Sequence, residues 1–273
     1  MGITLYTAPD CIRCKIVKSF LAERGQTWDT VDFKADAKDF NAFYRANRKS
    51  IYRNPEGVEF PLFDDGTVIK QGSGEVVAYL LAGRDLECCV TRSDMLHGKI
   101  SGLYPSRCPA AQDASFVTLV ERLSAGGLEV WLDSDGRRPE LLEALLKIPN
   151  THAVCTVAGG PKAMEAAFGG CPSREELART IELVLGSSQG RVRFLAMPLP
   201  SVEGWAWAKR EDVAEAARMV AEASGKPTMP YSIEVATKEM PLDLHGLEPV
   251  VEQTLLVYRS ASRRSLFKAE IAK

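Results

Sequence analysis

Cys11 and Cys14 are separated by Ile12 and Arg13, and they lie between a short alternating stretch and an apolar run with helical spacing. Two thiols at that spacing can exchange with a disulfide: one attacks, a mixed disulfide forms, and the second closes the ring and releases the product. The thiolate is the reactive species, and the open N–H groups and dipole at a helix N-terminus stabilise it. Cys11 falls at the helix cap and reads as the nucleophile. Cys14, one turn in, reads as the resolving thiol, and Arg13 adds positive charge between them. Half a zinc site and a pair of inert structural cysteines share the same pattern. No second Cys-x-x-Cys and no His-x-x-x-His follows, and His97, His152 and His245 are far apart in the chain. The expectation is a redox pair with no metal and no cofactor.

The elements that must position this pair can be read from periodicity. Residues 3–7 alternate as a strand, and Ala8-Pro9-Asp10 is a turn. Ile12, Ile16, Val17, Phe20 and Leu21 follow helical spacing up to Gly25. Residues 27–33 return as a strand, and Asp36 caps a helix to about residue 47. After a polar stretch at 48–57, residues 60–63 and 67–70 form a hairpin around Asp64-Asp65-Gly66, and Ser73 caps a helix ending near Gly83. The order β-α-β-α-β-β-α makes a mixed sheet of four strands, complete by residue 83.

The remainder follows a second pattern. Residues 85–113, with Gly98, Gly102, Pro105 and Pro109, lack clean periodicity and read as a connector, too long to be wholly unpacked. A helix from 114 to 125 is broken at Gly126-Gly127. Strands follow at 128–133, 151–157, 191–197 and 231–235, with helices at 139–147, 173–185 and 209–224 between them. Ser173-Arg-Glu-Glu176 is a capping box. Gly159-Gly160-Pro161 reads as a turn. The tail, 241–273, suggests a short helix near 246–252 and a hairpin from 255–258 and 266–271. The fold class is therefore α/β: residues 1–84 as one domain, then 114–240 as a parallel array, open or part of a (β/α) barrel.

Composition narrows the function classes. The 273 residues suffice for two domains, and 45% hydrophobic with 26% charged residues is ordinary for a globular chain. A net charge of −2 gives no sign of a nucleic-acid binder. The basic residues Arg259, Arg263, Arg264, Lys268 and Lys273 read as a solvated face. No apolar run reaches the ~18 residues of a membrane span. The opening residues lack an export signal, and the seven cysteines are odd in number and scattered, so a cytoplasmic, reducing setting is expected. Cys155, on a strand, reads as core. Asp133, Asp135 and Glu234 fall near strand ends, where either a ligand site or a cap would use them. Trp205 and Trp207 could line a groove or staple a loop.

With these elements laid out, residues 3–83 resemble the glutaredoxin/thioredoxin-fold family. ITLYTAPDCIRCKIVKSFLAERG is similar to its opening strand, motif and first helix. Phe60-Pro61 matches the family's cis-proline, which implies that Pro61 positions a substrate backbone. Gly72-Ser73-Gly74-Glu75 resembles the glycine-containing turn and acidic cap of the last helix. The resemblance implies catalytic Cys11, Cys14 and Pro61, with Arg13, Phe60, Gly72, Ser73, Gly74 and Glu75 as substrate or partner contacts. Ala8 replaces a lysine common in glutathione-using members, Arg13 replaces an aromatic, and Glu59-Phe60 replaces small residues. These departures argue against glutathione. They favour a redoxin dedicated to one protein partner, like those serving ribonucleotide reductase, with a thioredoxin reductase as donor. Residues 48–57, with Lys49, Tyr52 and Arg53, could cover the site or dock that partner.

Residues 114–236 are similar to the later part of radical S-adenosylmethionine enzymes of the glycyl-radical activating group, through GGLEVWLDSDG and RVRFLAMPLP. The Cys-x-x-x-Cys-x-x-Cys loop that would hold an iron–sulfur cluster is absent, as is a Gly-Gly-Glu before residue 114. The resemblance implies a truncated, cluster-free relative that binds a protein surface or a small ligand. Two functions follow: a thiol–disulfide oxidoreductase acting on a specific protein, or a non-catalytic subunit or assembly factor of a larger complex. A cluster shared between subunits through Cys88, Cys89 or Cys108 is a third possibility.

Overall fold

Strand β1 (Ile3–Thr7) buries Leu5 completely and Tyr6 and Thr7 nearly so, as a strand covered on both faces must. The computed structural model containing it describes residues 2–54, 57–93, 98–237, 240 and 242–272; His97 and Lys273 lie outside that set. Helix α1 (Ile12–Glu23) follows, with Ile16, Val17, Phe20 and Leu21 buried along one stripe. It ends at Gly25, whose φ of 64° suits a residue without a Cβ. Next come β2 (Trp28–Asp32), α2 (Ala37–Ala46) and a short ribbon of β3 (Arg53–Asn54) against β4 (Gly57–Val58). Strands β5 (Leu62–Asp64) and β6 (Ile69–Gln71) close a hairpin. Asp65 Oδ1 holds its turn by accepting from the amides of Thr67 and Val68 at 2.8 and 3.0 Å. Helix α3 (Gly72–Ala82) completes the set.

The first sheet runs β2-β1-β5-β6. β1 and β2 are parallel, in register Ile3 to Trp28, while β5 is antiparallel to both β1 and β6. The sequence placed these elements correctly but erred at two caps. Gln71, not Ser73, precedes α3, so Ser73 lies within its first turn. Asp36 does precede α2, but its carboxylate accepts from the Asp32 amide at 2.8 Å rather than from the helix.

Two compact units divide the chain. The first holds residues 1–103, 108–131 and 148–151. It includes β7 (Lys99–Leu103), formed where the sequence showed no periodicity, and α4 (Asp113–Ala125), which the sequence read as opening the second domain. At the end of α4, a Cβ on Gly126 would come within 2.3 Å of the Ile16 side chain, so only glycine lets the chain pass α1 this closely.

The second unit holds residues 104–107, 132–147 and 152–273. Its elements include part of β8 (Glu129–Ser134), α5 (Pro139–Leu145), β9 (Thr151–Val157), α6 (Pro161–Phe168), α7 (Arg174–Gly186) and β10 (Arg191–Ala196). The hairpin β11 (Pro198–Ser201) and β12 (Gly204–Trp207) follows, then α8 (Arg210–Ser224), β13 (Tyr231–Val235), α9 (Glu252–Ser262) and β14 (Ala269–Ile271). Within this unit the strand order is β14-β13-β10-β9-β8, and the pairings β9–β10, β10–β13 and β13–β14 are parallel. This mostly parallel α/β array is compatible with a partial barrel.

Three expectations fail here. Residues 255–258 lie in helix α9 rather than a strand, and β14 pairs in parallel with β13 rather than forming a hairpin. No helix forms at 246–251. Pro161 opens α6 instead of closing a turn, because its fixed φ and missing N–H suit the first helical position.

Candidate functional site

Cys11 caps α1, and its sulfur accepts from the Cys14 amide at 3.1 Å. The same N–H would stabilise a Cys11 thiolate. The two sulfurs stand at disulfide distance, with Cα atoms 5.3 Å apart. Cys11 is half-buried, whereas Cys14 is 3% exposed. An outer and an inner sulfur are thus joined across one helical turn.

Arg13, expected as a positive charge beside the thiolate and a partner contact, points inward. It is buried, and its guanidinium donates to Glu59 Oε1 at 2.6 Å and to the Lys99 carbonyl at 2.5 Å. Glu59 is buried as well, and its other oxygen accepts from the Ser93 amide at 3.3 Å. Burial pushes the Glu59 carboxyl up to about 7, against the opposing pull of the Arg13 charge and the Ser93 amide. Position 72 makes room for this carboxylate: a Cβ there would lie 2.2 Å from Glu59 Oε1, and the backbone φ is +77°. Two independent reasons therefore require glycine at residue 72.

The peptide between Phe60 and Pro61 is cis, and the Pro61 carbonyl accepts from the Gly72 amide at 2.8 Å. Phe60 lies in an aromatic group with Phe33 and Phe40, at ring separations of 5.2 and 5.7 Å. Ser73 is completely buried, with no hydrogen-bond partner for its hydroxyl among the described residues, so it offers no surface to a substrate. Gly74 is buried near Ile100 and Val90. The Glu75 carboxylate accepts from the Gln71 amide at 3.2 Å, and burial raises its pKa. It borders a cavity of about 310 Å³ together with Lys70, Tyr79, Glu87 and Thr91.

Strand order β2-β1-β5-β6 with one parallel and two antiparallel pairings, a cis-proline just before β5, and a capped dithiol on the first helix now stand together. The first unit is thioredoxin-like. No family model matches the chain, and no curated protein matches it. Among solved structures, a solution structure of glutaredoxin from Brucella melitensis is similar at 23% identity, covering 31% of this chain and 83% of that one, with a TM-score of 0.24. The fold assignment rests on the unit's own topology.

In the second unit the strand-end carboxylates are already partnered. Arg193 on β10 donates to Asp133 on β8 at 2.7 Å, to Thr156 on β9 at 2.9 Å and to Glu234 on β13 at 2.5 Å. A polar row therefore crosses four neighbouring strands. Asp135 pairs with Arg137 at 2.7 Å, and Arg137 also reaches the Phe168 carbonyl at 2.9 Å. Cys155 is fully buried, as a core residue, and burial raises its pKa. Trp205 stacks on His245 at 3.7 Å, and Trp207 Nε1 donates to the Glu248 carbonyl at 2.8 Å, which ties the β11–β12 hairpin to the 245–248 loop. Among the described residues no group of His, Cys, Asp and Glu is arranged to hold a metal ion, and no helix is long and apolar enough to cross a membrane.

Sequence reasoning missed the Arg13–Glu59 pair. Its only signal was a carboxylate inside the apolar run Val58–Phe63, two residues before the proline.

Proposed function

We propose that the chain is a dithiol–disulfide oxidoreductase that reduces a specific protein partner. The observation that carries this reading is the half-buried Cys11 sulfur at the cap of α1, at disulfide distance from the buried Cys14. In the reduced state the Cys11 thiolate attacks a partner disulfide, forming a mixed disulfide and releasing one partner thiolate. Cys14 then attacks the Cys11 sulfur, and the second partner thiolate leaves. The partner gains two electrons, and the chain is left as the Cys11–Cys14 disulfide. Pro61 holds the substrate backbone, and Phe60 and Glu75 contribute to the docking surface. A thioredoxin reductase is the proposed donor, in a cytoplasmic setting, and the second unit supplies partner recognition as a cluster-free relative of the radical enzymes it resembles.

The test is a Cys14→Ser variant exposed to cell extract. It should accumulate one mixed disulfide through Cys11, reversed by dithiothreitol and absent from Cys11→Ser. Failure to capture any protein under conditions that leave Cys11 alkylatable would count against a protein substrate. The inward course of Arg13 favours a second reading, a non-catalytic subunit. In that case Cys11→Ser would leave assembly of the complex intact and no dithiol turnover would be measurable.

A further inference from the structure

Residues 45–53 carry four cations, Arg45, Arg48, Lys49 and Arg53, all exposed, in a chain whose net charge is −2. None of the four pairs with a carboxylate among the described residues. Arg179 and Arg218, by contrast, each pair with two glutamates.

The segment that carries these cations is held firmly. The Asn47 carbonyl accepts from the amides of Ser50 and Ile51 at 2.8 and 3.2 Å, which closes a tight turn around Arg48 and Lys49. Ile51 is buried in one apolar cluster with Tyr6, Phe40 and Leu62. The buried Gln71 side chain clamps the next residue. Tyr52 N donates to Gln71 Oε1 at 2.9 Å, and Gln71 Nε2 donates to the Tyr52 carbonyl at 2.8 Å. The Arg92 guanidinium lies over the Tyr52 ring at 3.5 Å.

The same ties place the segment beside the dithiol and the cis-proline. Gln71 precedes Gly72, whose amide donates to the Pro61 carbonyl at 2.8 Å. Arg53 pairs across the β3–β4 ribbon with Val58. The residue after Val58 is Glu59, which takes the Arg13 guanidinium from between the two cysteines at 2.6 Å. We propose that Arg45, Arg48, Lys49 and Arg53 form a docking surface for an acidic segment of the partner protein, one that carries Asp or Glu beside the disulfide to be reduced. The surface rests on the dithiol reading of Cys11 and Cys14.

Open cations on a fixed backbone lose little freedom when they meet carboxylates, and complementary charge speeds encounter and selects partners. One exposed ion pair contributes little, but four acting together give a preference of about tenfold. A nucleic acid would answer the same charge. The position beside Pro61, where the dithiol reading puts a polypeptide backbone, favours an acidic polypeptide.

The experiment has two arms on the full chain at low salt. For binding, the chain carries Cys11→Ser and Cys14→Ser. A fluorescein-labelled, cysteine-free peptide rich in Asp and Glu is compared by anisotropy with its Asn and Gln counterpart and with a thymidine oligonucleotide of equal charge. For turnover, the pre-reduced native chain meets the same two peptides built around an internal disulfide. The acidic peptide should bind, and be reduced, about tenfold better than the neutral one, and high salt should erase the difference. A chain with Arg48→Glu, Lys49→Glu and Arg53→Glu should instead prefer a lysine-rich peptide, an inversion that misfolding cannot produce. Equal binding of the acidic and neutral peptides would overturn the proposal. So would a preference that survives charge reversal, or tighter binding of the oligonucleotide than of the acidic peptide. Acidic binding without reduction of any peptide would sink the dithiol reading and leave the docking surface standing; reduction without a charge preference would do the reverse.

Discussion

At the scale of single residues, Arg13 and Glu59 carry the main surprise. Motif reading places a positive charge between two cysteines but names no partner for it, because Glu59 stands 46 residues away and no periodicity connects them. Folding turns that charge inward and couples the dithiol helix to the cis-proline segment. Removing one member of a buried pair costs about 3–5 kcal/mol. Arg13→Ala should therefore lower stability by about that order at pH 8. At pH 5, where Glu59 can keep its proton, the loss should be clearly smaller; urea melts at both values check this. The Glu59 pKa is raised from 4.5 to about 7, so across that window the folded state holds a proton that the unfolded chain has released. Stability should thus fall as pH rises from about 4.5 to 7, and Glu59→Gln should flatten that slope. Gly72→Ala should destabilise by more than the ~1 kcal/mol of an ordinary glycine exchange, because both φ and the Glu59 carboxylate oppose a Cβ.

At the scale of elements, strong local signals were legible. The alternation in β1, the helical stripe of α1, the Asp-Asp-Gly turn and the Ser173–Glu176 box all lie within a few residues of what they determine. In that box Ser173 Oγ accepts from the Glu176 amide at 3.1 Å, and the Glu176 carboxylate accepts in turn from the Ser173 amide at 2.8 Å. Ser173→Ala should cost ~1 kcal/mol in a thermal or urea melt. The C-terminal region was misread for a physical reason. Leu255-Leu-Val-Tyr258 is a short apolar run, and such runs fit a strand or a helix equally well. The structure buries Tyr258 and Ala261 while leaving Leu256 and Val257 each 44% exposed, a helical face rather than an alternating one. Tyr258 also donates to the Ala208 carbonyl at 2.5 Å, a long-range contact that no local pattern encodes.

At the scale of the whole molecule, two α/β units carry different polar investments. The first holds the dithiol at α1 and three further cysteines after α3. The second sets its charges in a row from Asp133 through Arg193 to Glu234, where both strand-end carboxylates accept from the Arg193 guanidinium between them. The sequence located these carboxylates but not Arg193, which sits mid-strand among apolar residues and becomes meaningful only once β8, β10 and β13 are neighbours. Arg193→Met should destabilise the second unit by about 3–5 kcal/mol, since it strands two carboxylates. It should leave Cys11 reactivity unchanged, as iodoacetamide labelling would show. The most direct test of the redox assignment is a single-turnover reaction of the pre-reduced full chain with an equimolar small protein disulfide, such as insulin, with the Cys11 and Cys14 peptides followed by mass spectrometry. The prediction is a mole-for-mole loss of the substrate disulfide as Cys11–Cys14 forms, abolished by Cys11→Ser. Reduction that proceeds unchanged in Cys11→Ser, or a dithiol that stays reduced beside an intact substrate disulfide, would contradict it.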